Sequence, residues 1–464
     1  MALKEQLITK DLPELAEYAG RSFDYQIAKG RRRYLCVSRL ESVLDQQADV
    51  SQMALYEDEA ALKLGPTEIK FYKGLMDEYA SGRWNGDRDE LSVELDEQSW
   101  LPLTSDHHQC TNRRCLNFSV CPFFKARAAI ERADLIVVNH DLVLADLSLG
   151  GGAILPEPED SIYLFDEAHN LGAKATQHFA LSMRLGGSER AIKTLEKNLT
   201  QLVEESEKAL VVNEIVSRLH TPLRDVQLMI ARWKATLDDD LLELPENERR
   251  KRFARGEVPE NHRLHAHQLA TILAQADPIL DRLLSVLRDA LEGEQSELDR
   301  SLAERWLPVM GVHWGRMQRM LWLCRSYAEH TSPDMTPTAR WIVKHDSDAG
   351  QDIELHSAPV SAHTHLHDLL WSQCFAAVLT SATLTALGRF DTLFTQLGVP
   401  LDTPAIRLAS PFNYSEKAQL VVPSLRTDPG RADEHTEEIA EWIDKELINI
   451  DAGLILFTSW RQMK

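Results

Sequence analysis

Between residues 176 and 345, apolar residues recur at intervals of three and four. Ile192, Leu195, Leu199 and Leu202 make one stripe, and Leu219, Leu223, Val226, Ile230 and Trp233 make another. This is the pattern of long helices that each bury one face. On either side the pattern changes to short apolar runs ending in polar residues, which read as buried strands of an α/β domain. These runs are Leu135 to His140, Ser161 to Asn170, Ile353 to His356 and Phe375 to Leu384. Their order predicts an α/β domain interrupted by a helical insertion of well over a hundred residues. Residues 1 to about 30 look mostly helical, with Leu12, Leu15 and Tyr18 at helical spacing. From Tyr34 to about residue 100 the chain reads as helical and acidic, and 122 to 134 as a helix rich in Ala, Lys and Arg. Gly150, Gly151, Gly152 and Pro156 form a loop before the acidic strand. It is not a phosphate loop, because no Lys-Ser or Lys-Thr follows. After Ser410-Pro411-Phe412-Asn413 a new unit begins: a strand at Gln419 to Val422, a helix burying Ile439, Trp442, Ile443 and Leu447, and a strand at Leu454 to Phe457. One helix and two strands do not close a domain, so this unit reads as cut off.

Composition bounds the picture without changing it. The 464 residues allow two to four domains, and 44% hydrophobic with 27% charged residues is the make-up of a globular chain. A formal net charge of -21 argues against coating nucleic acid by bulk attraction, but a local basic groove remains compatible with it. Two basic runs stand out, Lys29-Gly30-Arg31-Arg32-Arg33 and Arg249-Arg250-Lys251-Arg252 with Arg255 beyond; a solvated face is the commoner fate of such runs. No apolar stretch reaches the length of a membrane span, and the N-terminus has no signal-peptide core. The expectation is a soluble cytoplasmic protein, with six cysteines better suited to a metal than to a secreted disulfide scaffold.

The richest stretch is the strand ending Phe165-Asp166-Glu167-Ala168-His169. Ligands of open α/β sheets bind at the carboxyl ends of strands. There Asp166 can hold a Mg²⁺ that bridges nucleotide phosphates, and Glu167 can orient and deprotonate the attacking water. His169 is close enough to sense both. Asn139 and His140 end the preceding strand and could face nucleotide or DNA, or simply cap a helix. Ser381 and Thr383 end the Phe375 strand, where hydroxyls can hydrogen-bond a neighbouring acidic strand. Upstream, Cys110, Cys115 and Cys121-Pro122, with Cys36 far before them, make four thiolates. These suit tetrahedral Zn²⁺ or an iron-sulphur cluster. Gaps of four and five residues, without a C-x₂-C knuckle, favour the cluster. Cys324 and Cys374 read as ordinary buried residues, Trp306 and Trp314 as core, and His363, His365 and His367 as surface.

Taken together, Cys36, the Cys110/Cys115/Cys121-Pro-Phe-Phe run, Val-Val-Asn-His140, Asp-Glu-Ala-His169, a helical insertion, Thr-Ser-Ala-Thr383, Ser-Pro-Phe-Asn413 and Leu-Phe-Thr-Ser459 resemble the DinG branch of the XPD-like superfamily 2 helicases. The resemblance runs over nearly the whole chain. It implies a RecA-like parallel-sheet motor domain of the P-loop NTPase type, interrupted by an iron-sulphur domain and an all-helical arch, followed by the start of a second RecA-like domain. The implied segments are 1–30 (motor), 31–122 (iron-sulphur), 123–175 (motor), 176–345 (arch), 346–413 (motor) and 414–464 (second motor domain). The implied activity is ATP-dependent 5′-to-3′ unwinding of DNA in damage tolerance, by a monomer acting on single-stranded DNA, on overhangs or on unusual structures. By the same resemblance Cys36, Cys110, Cys115 and Cys121 hold a [4Fe-4S] cluster. Asp166 holds Mg²⁺, Glu167 is the base, and His169, Ser381 and Thr383 couple the two. Arg113 and Arg114 are candidates for the DNA backbone. The phosphate loop G-x-x-x-x-G-K-[ST] occurs nowhere in the sequence, and the later motifs with their arginine would lie beyond Lys464. The expectation is therefore a chain that does not turn over ATP by itself. The alternative is a non-catalytic iron-sulphur DNA-binding remnant of such a helicase; nothing supports a nuclease.

Overall fold

The computed structural model describes residues 6–45, 65–91, 93, 95–206, 209–242, 249–293, 298–330, 337–347, 350–447, 453–457 and 463. The chain divides into two compact units, Met1–Thr403 and Pro404–Lys464.

In the first unit, a helix at Leu12–Ala19 (α1) is followed by a strand at Tyr25–Ile27 (β1). The expectation of a mostly helical start is therefore corrected: β1 runs parallel to Leu135–Val137 (β2), with Tyr25 opposite Leu135. Between these strands, helices Val37–Leu44 (α2) and Pro66–Ala80 (α3) pack with Trp84, Trp100 and Leu103 into a small core of their own. Helix α4 (Pro122–Ile130) starts with proline in its first turn, where the absent N–H costs nothing. Strand β2 is three residues long and half-buried rather than a buried run to His140, because Asn139 caps a new helix, α5 (His140–Ser148).

The acidic strand β3 (Ile162–Phe165) lies parallel to β8 (Ala376–Leu379), with Phe165 opposite Leu379. Both were expected to be buried. Ile162 and Leu164 instead remain 67% and 70% exposed, and Val378 50%. Only one face of the pair packs inward: Phe165 joins Leu142, Leu147, Leu171, Leu366 and Leu370 in a second core. Each parallel sheet among the described residues has two strands.

The helical insertion begins after helix α6 (Leu171–His178) and strand β4 (Leu181–Arg184). Its helices are α7 (Leu185–Glu205), α8 (Leu210–Leu242), α9 (Glu260–Glu292) and α10 (Arg300–Ala328). Both stripes read from the sequence are buried, and Leu219, Leu223, Val226, Ile230 and Trp233 are sealed from solvent. Full burial of such a side chain contributes about 1.5–3 kcal/mol, so these stripes hold the bundle together. The insertion is not all helical. The basic run forms β5 (Arg250–Arg252), and β6 (Thr338–Ser347) and β7 (Gly350–Pro359) form a hairpin. They join β4 in an antiparallel sheet ordered β4-β7-β6-β5. Ile353 to His356 thus belongs to this sheet, packed on the helices through Ile353 and Leu355, and not to the parallel one. A short helix, α11 (Asp391–Leu397), closes the second core.

In the second unit, a helix at Ala432–Leu447 (α12) forms where the periodicity predicts it. The described residues at Gln419–Val422 and Leu454–Phe457 form no strand, and Leu420, Val422, Leu454 and Leu456 are at least 80% exposed. An apolar run becomes a strand only with a neighbour to complete its hydrogen bonds. Thr458 and Ser459 lie outside the described residues.

Candidate nucleotide and cluster sites

Strand β3 delivers Asp166 and Glu167 to solvent at its carboxyl end. The ladder continues one step into the turn, where Thr380 N–H donates to Phe165 O at 2.9 Å and Ala168 N–H donates to Thr380 O at 3.0 Å. Ala168 is fully buried, which pins the turn between two exposed acidic positions and His169. Glu167 has φ 49° and ψ 42°. That left-handed conformation costs a non-glycine residue about 1–3 kcal/mol and concentrates at functional turns. His140 supports the turn from below, with Nε2 at 3.0 Å from the carbonyl of Asp166. Burial lowers its pKa, partly opposed by that contact and reinforced by the charge of Lys174. Lys174 donates to both oxygens of Asp141 at 2.9 Å. Asn139 caps α5, its side-chain oxygen accepting the Leu142 N–H at 3.0 Å. Of the two residues expected to face nucleotide or DNA, one therefore caps a helix and the other positions the acidic turn.

Ser381 is brought to the same turn by β8. Its hydroxyl donates to Glu167 Oε2 at 3.0 Å and lies 2.7 Å from His169 Nδ1. A hydroxyl carries one proton, so with Glu167 as its acceptor the imidazole must supply the other hydrogen. His169 then carries a hydrogen on Nδ1. Nδ1 also lies 3.2 Å from Glu167 Oε2. Thr383 enters through its backbone, its N–H donating to Ser381 Oγ at 3.3 Å. Asp166, Glu167, His169 and Ser381 thus share one solvent-facing edge.

The four cysteines read as ligands line a single small cavity, together with Arg31, Ser38, Ser105, Asn117 and Phe123, and all four are free thiols. Burial pushes the Cys36 thiol up to about 11 and raises Cys121 as well. The Arg39 backbone N–H and the Ser105 side chain oppose that cost at Cys36, and the Phe124 and Phe123 backbone N–H groups oppose it at Cys121. Ser38 Oγ lies 3.2 Å from Cys115 Sγ, and Asn112 N–H donates to Cys110 Sγ at 3.4 Å. Arg39, half-buried one turn beyond Cys36, has its own pKa lowered by desolvation and held up by the Cys36 charge, and its Nε makes no hydrogen bond. The four half-buried cysteines thus face one cavity with a cation beside them, but their side chains are not drawn together as a ligand set. Among the described residues, no three His, Cys, Asp or Glu side chains are arranged to hold a metal ion. Sequence reasoning passed over Arg39; its place one helical turn after a cysteine at a helix N-cap was the available signal. Cys324 is fully buried as expected, whereas Cys374 is half-buried.

The first basic run is used internally. Lys29 pairs with Asp87 and with Asp89, Arg33 pairs with Asp89, Arg32 lies 3.4 Å from Asp106, and Arg31 sits 4.0 Å over the ring of Phe123. Arg114 pairs with Glu292 at the end of α9 and is half-exposed, and Arg113 is exposed. No helix among the described residues is long and apolar enough to cross a membrane.

In this mixed α/β chain, with its Asp-Glu-Ala-His turn facing a serine-bearing strand end, residues 94–186 match the DEAD_2 family model. Over its whole length the chain is homologous to ATP-dependent DNA helicases DinG. It is 31% identical to that of Photobacterium profundum and 26% identical to those of Escherichia coli and Salmonella choleraesuis. All of this chain is covered in each comparison, and it spans 65% of the length of each relative.

Proposed function

We propose that this chain carries the metal- and water-handling edge, the cluster domain and the arch of an ATP-dependent DNA helicase. The observation that supports the reading best is Ser381 bridging Glu167 and His169 across two parallel strands. In this reading Asp166 holds the Mg²⁺ of Mg-ATP, and Glu167 orients the attacking water and takes its proton. His169 and Ser381 tie the state of Glu167 to the neighbouring strand end, so a shift of one strand is felt by the other. Thr383 shapes that link through its backbone. Cys36, Cys110, Cys115 and Cys121 would hold a [4Fe-4S] cluster, which when bound supplies a rigid anchor for the loops around it. Single-stranded DNA is the partner, 5′-to-3′ the direction, and Arg113 the one exposed arginine between the cluster ligands. The segments of a RecA-like motor would be 1–30, 123–175 and the residues leading to Asn413, with a second such domain beginning at 414.

The relatives it matches are about half as long again, and the G-x-x-x-x-G-K-[ST] pattern is not within these residues. Steady-state phosphate release is therefore not expected from this chain alone. The test is anaerobic purification followed by absorbance, iron and zinc analysis, and anisotropy with labelled single-stranded DNA. Iron with violet-blue absorbance, together with DNA binding, is expected. Zinc in place of iron, or no affinity for single strands, would sink the reading, and robust DNA-stimulated phosphate release would overturn the division of labour.

A further inference from the structure

The antiparallel sheet β4-β7-β6-β5 buries one face on the helices through Met183, Ile342, Ile353 and Leu355. Its pairing determines the other face. Trp341 is opposite His356 on one side and Arg252 on the other; Val343 is opposite Glu354 and Arg250; and Arg184 lies across from Glu354 on β4. The rings of Trp341 and His356 are parallel within 2°, their centroids 4.9 Å apart. Of the two carboxylates on this face of β7, Glu354 is in contact with His345, with His356 Nε2 at 3.6 Å and Arg184 Nε at 3.8 Å, and Asp352 is buried, accepting the Gly186 and Gly187 N–H groups. Arg250 and Arg252 are exposed on the outermost strand.

We infer that this face is a second contact for single-stranded nucleic acid, in which a base stacks at Trp341 and Arg250 and Arg252 meet neighbouring phosphates. The inference rests on the single-stranded DNA reading above. Cations alone would suit any acidic chain, but an aromatic platform flanked by arginines is what binds unpaired bases. With a net charge of -21 the protein has no bulk attraction for phosphate, so local geometry must supply it.

The experiment is anisotropy of labelled oligothymidylate on the full chain across a salt series. Arg250→Ala/Arg252→Ala is expected to weaken binding tenfold or more and to flatten the slope of log affinity against log salt by about 1.4, some 0.7 for each phosphate released. Trp341→Ala is expected to lose roughly tenfold with the slope unchanged, as stacking carries no counterions. Arg250→Lys/Arg252→Lys should keep the wild-type slope, which separates charge from folding. If the wild type binds and none of the variants moves, this inference fails while the DNA reading stands. If polyglutamate competes as well as oligothymidylate and Trp341→Ala has no effect, the face takes acidic peptides and the inference is overturned. If the wild type does not bind, both fail.

Discussion

Ser381 and Glu167, 214 residues apart in sequence, are joined by a 3.0 Å hydrogen bond from the serine hydroxyl to Oε2. Because that hydroxyl also meets His169, a single oxygen fixes both the direction of the carboxylate and the tautomer of the imidazole. The bond closes a parallel strand pair at the end where ligands of such sheets sit, so its loss is expected to disturb the site more than the fold.

Ser381→Ala tests this. The edge is open to solvent, so the change should cost less than about 1 kcal/mol in chemical denaturation. Nitrogen-detected NMR of His169 should show the Nδ1–H form in the wild type and a mixture of tautomers in the variant. An unchanged tautomer would mean that Ser381 does not set it.

Two glycines make a paired prediction about how the loop before Cys110 meets the helical insertion. A Cβ added at Gly311 on α10 would lie 2.0 Å from the backbone oxygen of His108, two residues before Cys110, while one added at Gly74 on α3 meets nothing within 4 Å. Backbone cannot swing aside as a side chain does, so Gly311→Ala is expected to cost about 1–3 kcal/mol. It should also raise hydrogen exchange in residues 106–110. Gly74→Ala should stabilise by about 0.5–1 kcal/mol, since alanine is the better helix former. Equal effects from the two would show that the helix is indifferent to the loop.

How far the sequence could be read depended on where each pattern found its partner. The helical stripes were legible because a helix satisfies its own backbone, and Ile192 to Leu202 and Leu219 to Trp233 needed only a face to bury. The turn at Asp166 was legible because an apolar run ends there in two acids, and the spacing of Cys110, Cys115 and Cys121 put them with Cys36 around one cavity. Strands were harder. Tyr25–Ile27 becomes a strand through Leu135–Val137, more than a hundred residues away, and nothing local announces it. Arg250–Arg252 looked like a solvated charge run because its alternate residues are all basic, yet β6 recruits it into a sheet. The pairing of Arg114 with Glu292 was not legible because the two are distant in sequence.

The insertion sheet carries an acid-range dependence. Burial pushes the Glu354 carboxyl upward, but hydrogen bonds and charge from His356 and His345 more than compensate and bring it from 4.5 down to about 2. A depressed carboxylate contributes stability that is complete above its unfolded value and is lost as pH falls through the folded one. Wild type should therefore lose stability between about pH 4.5 and 2, and Glu354→Gln should be flatter over that window in urea titrations. The variant should also be weaker at neutral pH by about 1.5–3 kcal/mol, the value of hydrogen bonds to a charged group. Parallel curves for the two proteins would show that the histidines do not hold the carboxylate.

A second pH dependence, beginning at higher pH, comes from inside the helical insertion. His313 is buried on α10, and its Nε2 lies 2.9 Å from Nδ2 of Asn198 on α7. The amide donates, so this imidazole nitrogen must be unprotonated. Burial, reinforced by the charge of Arg316, drives its pKa from 6.5 down to about 3. Between those values the unfolded chain binds a proton that the folded chain refuses. Stability should therefore fall with acid from about pH 6.5, by about 1.4 kcal/mol per pH unit for this group. His313→Gln keeps an acceptor for Asn198 and removes the titration. Its urea midpoint should drop less than that of wild type between pH 7 and pH 5, whatever its stability at pH 7. If both midpoints fall equally, a proton reaches His313 in the folded insertion, and the buried pair between α7 and α10 is not closed to it.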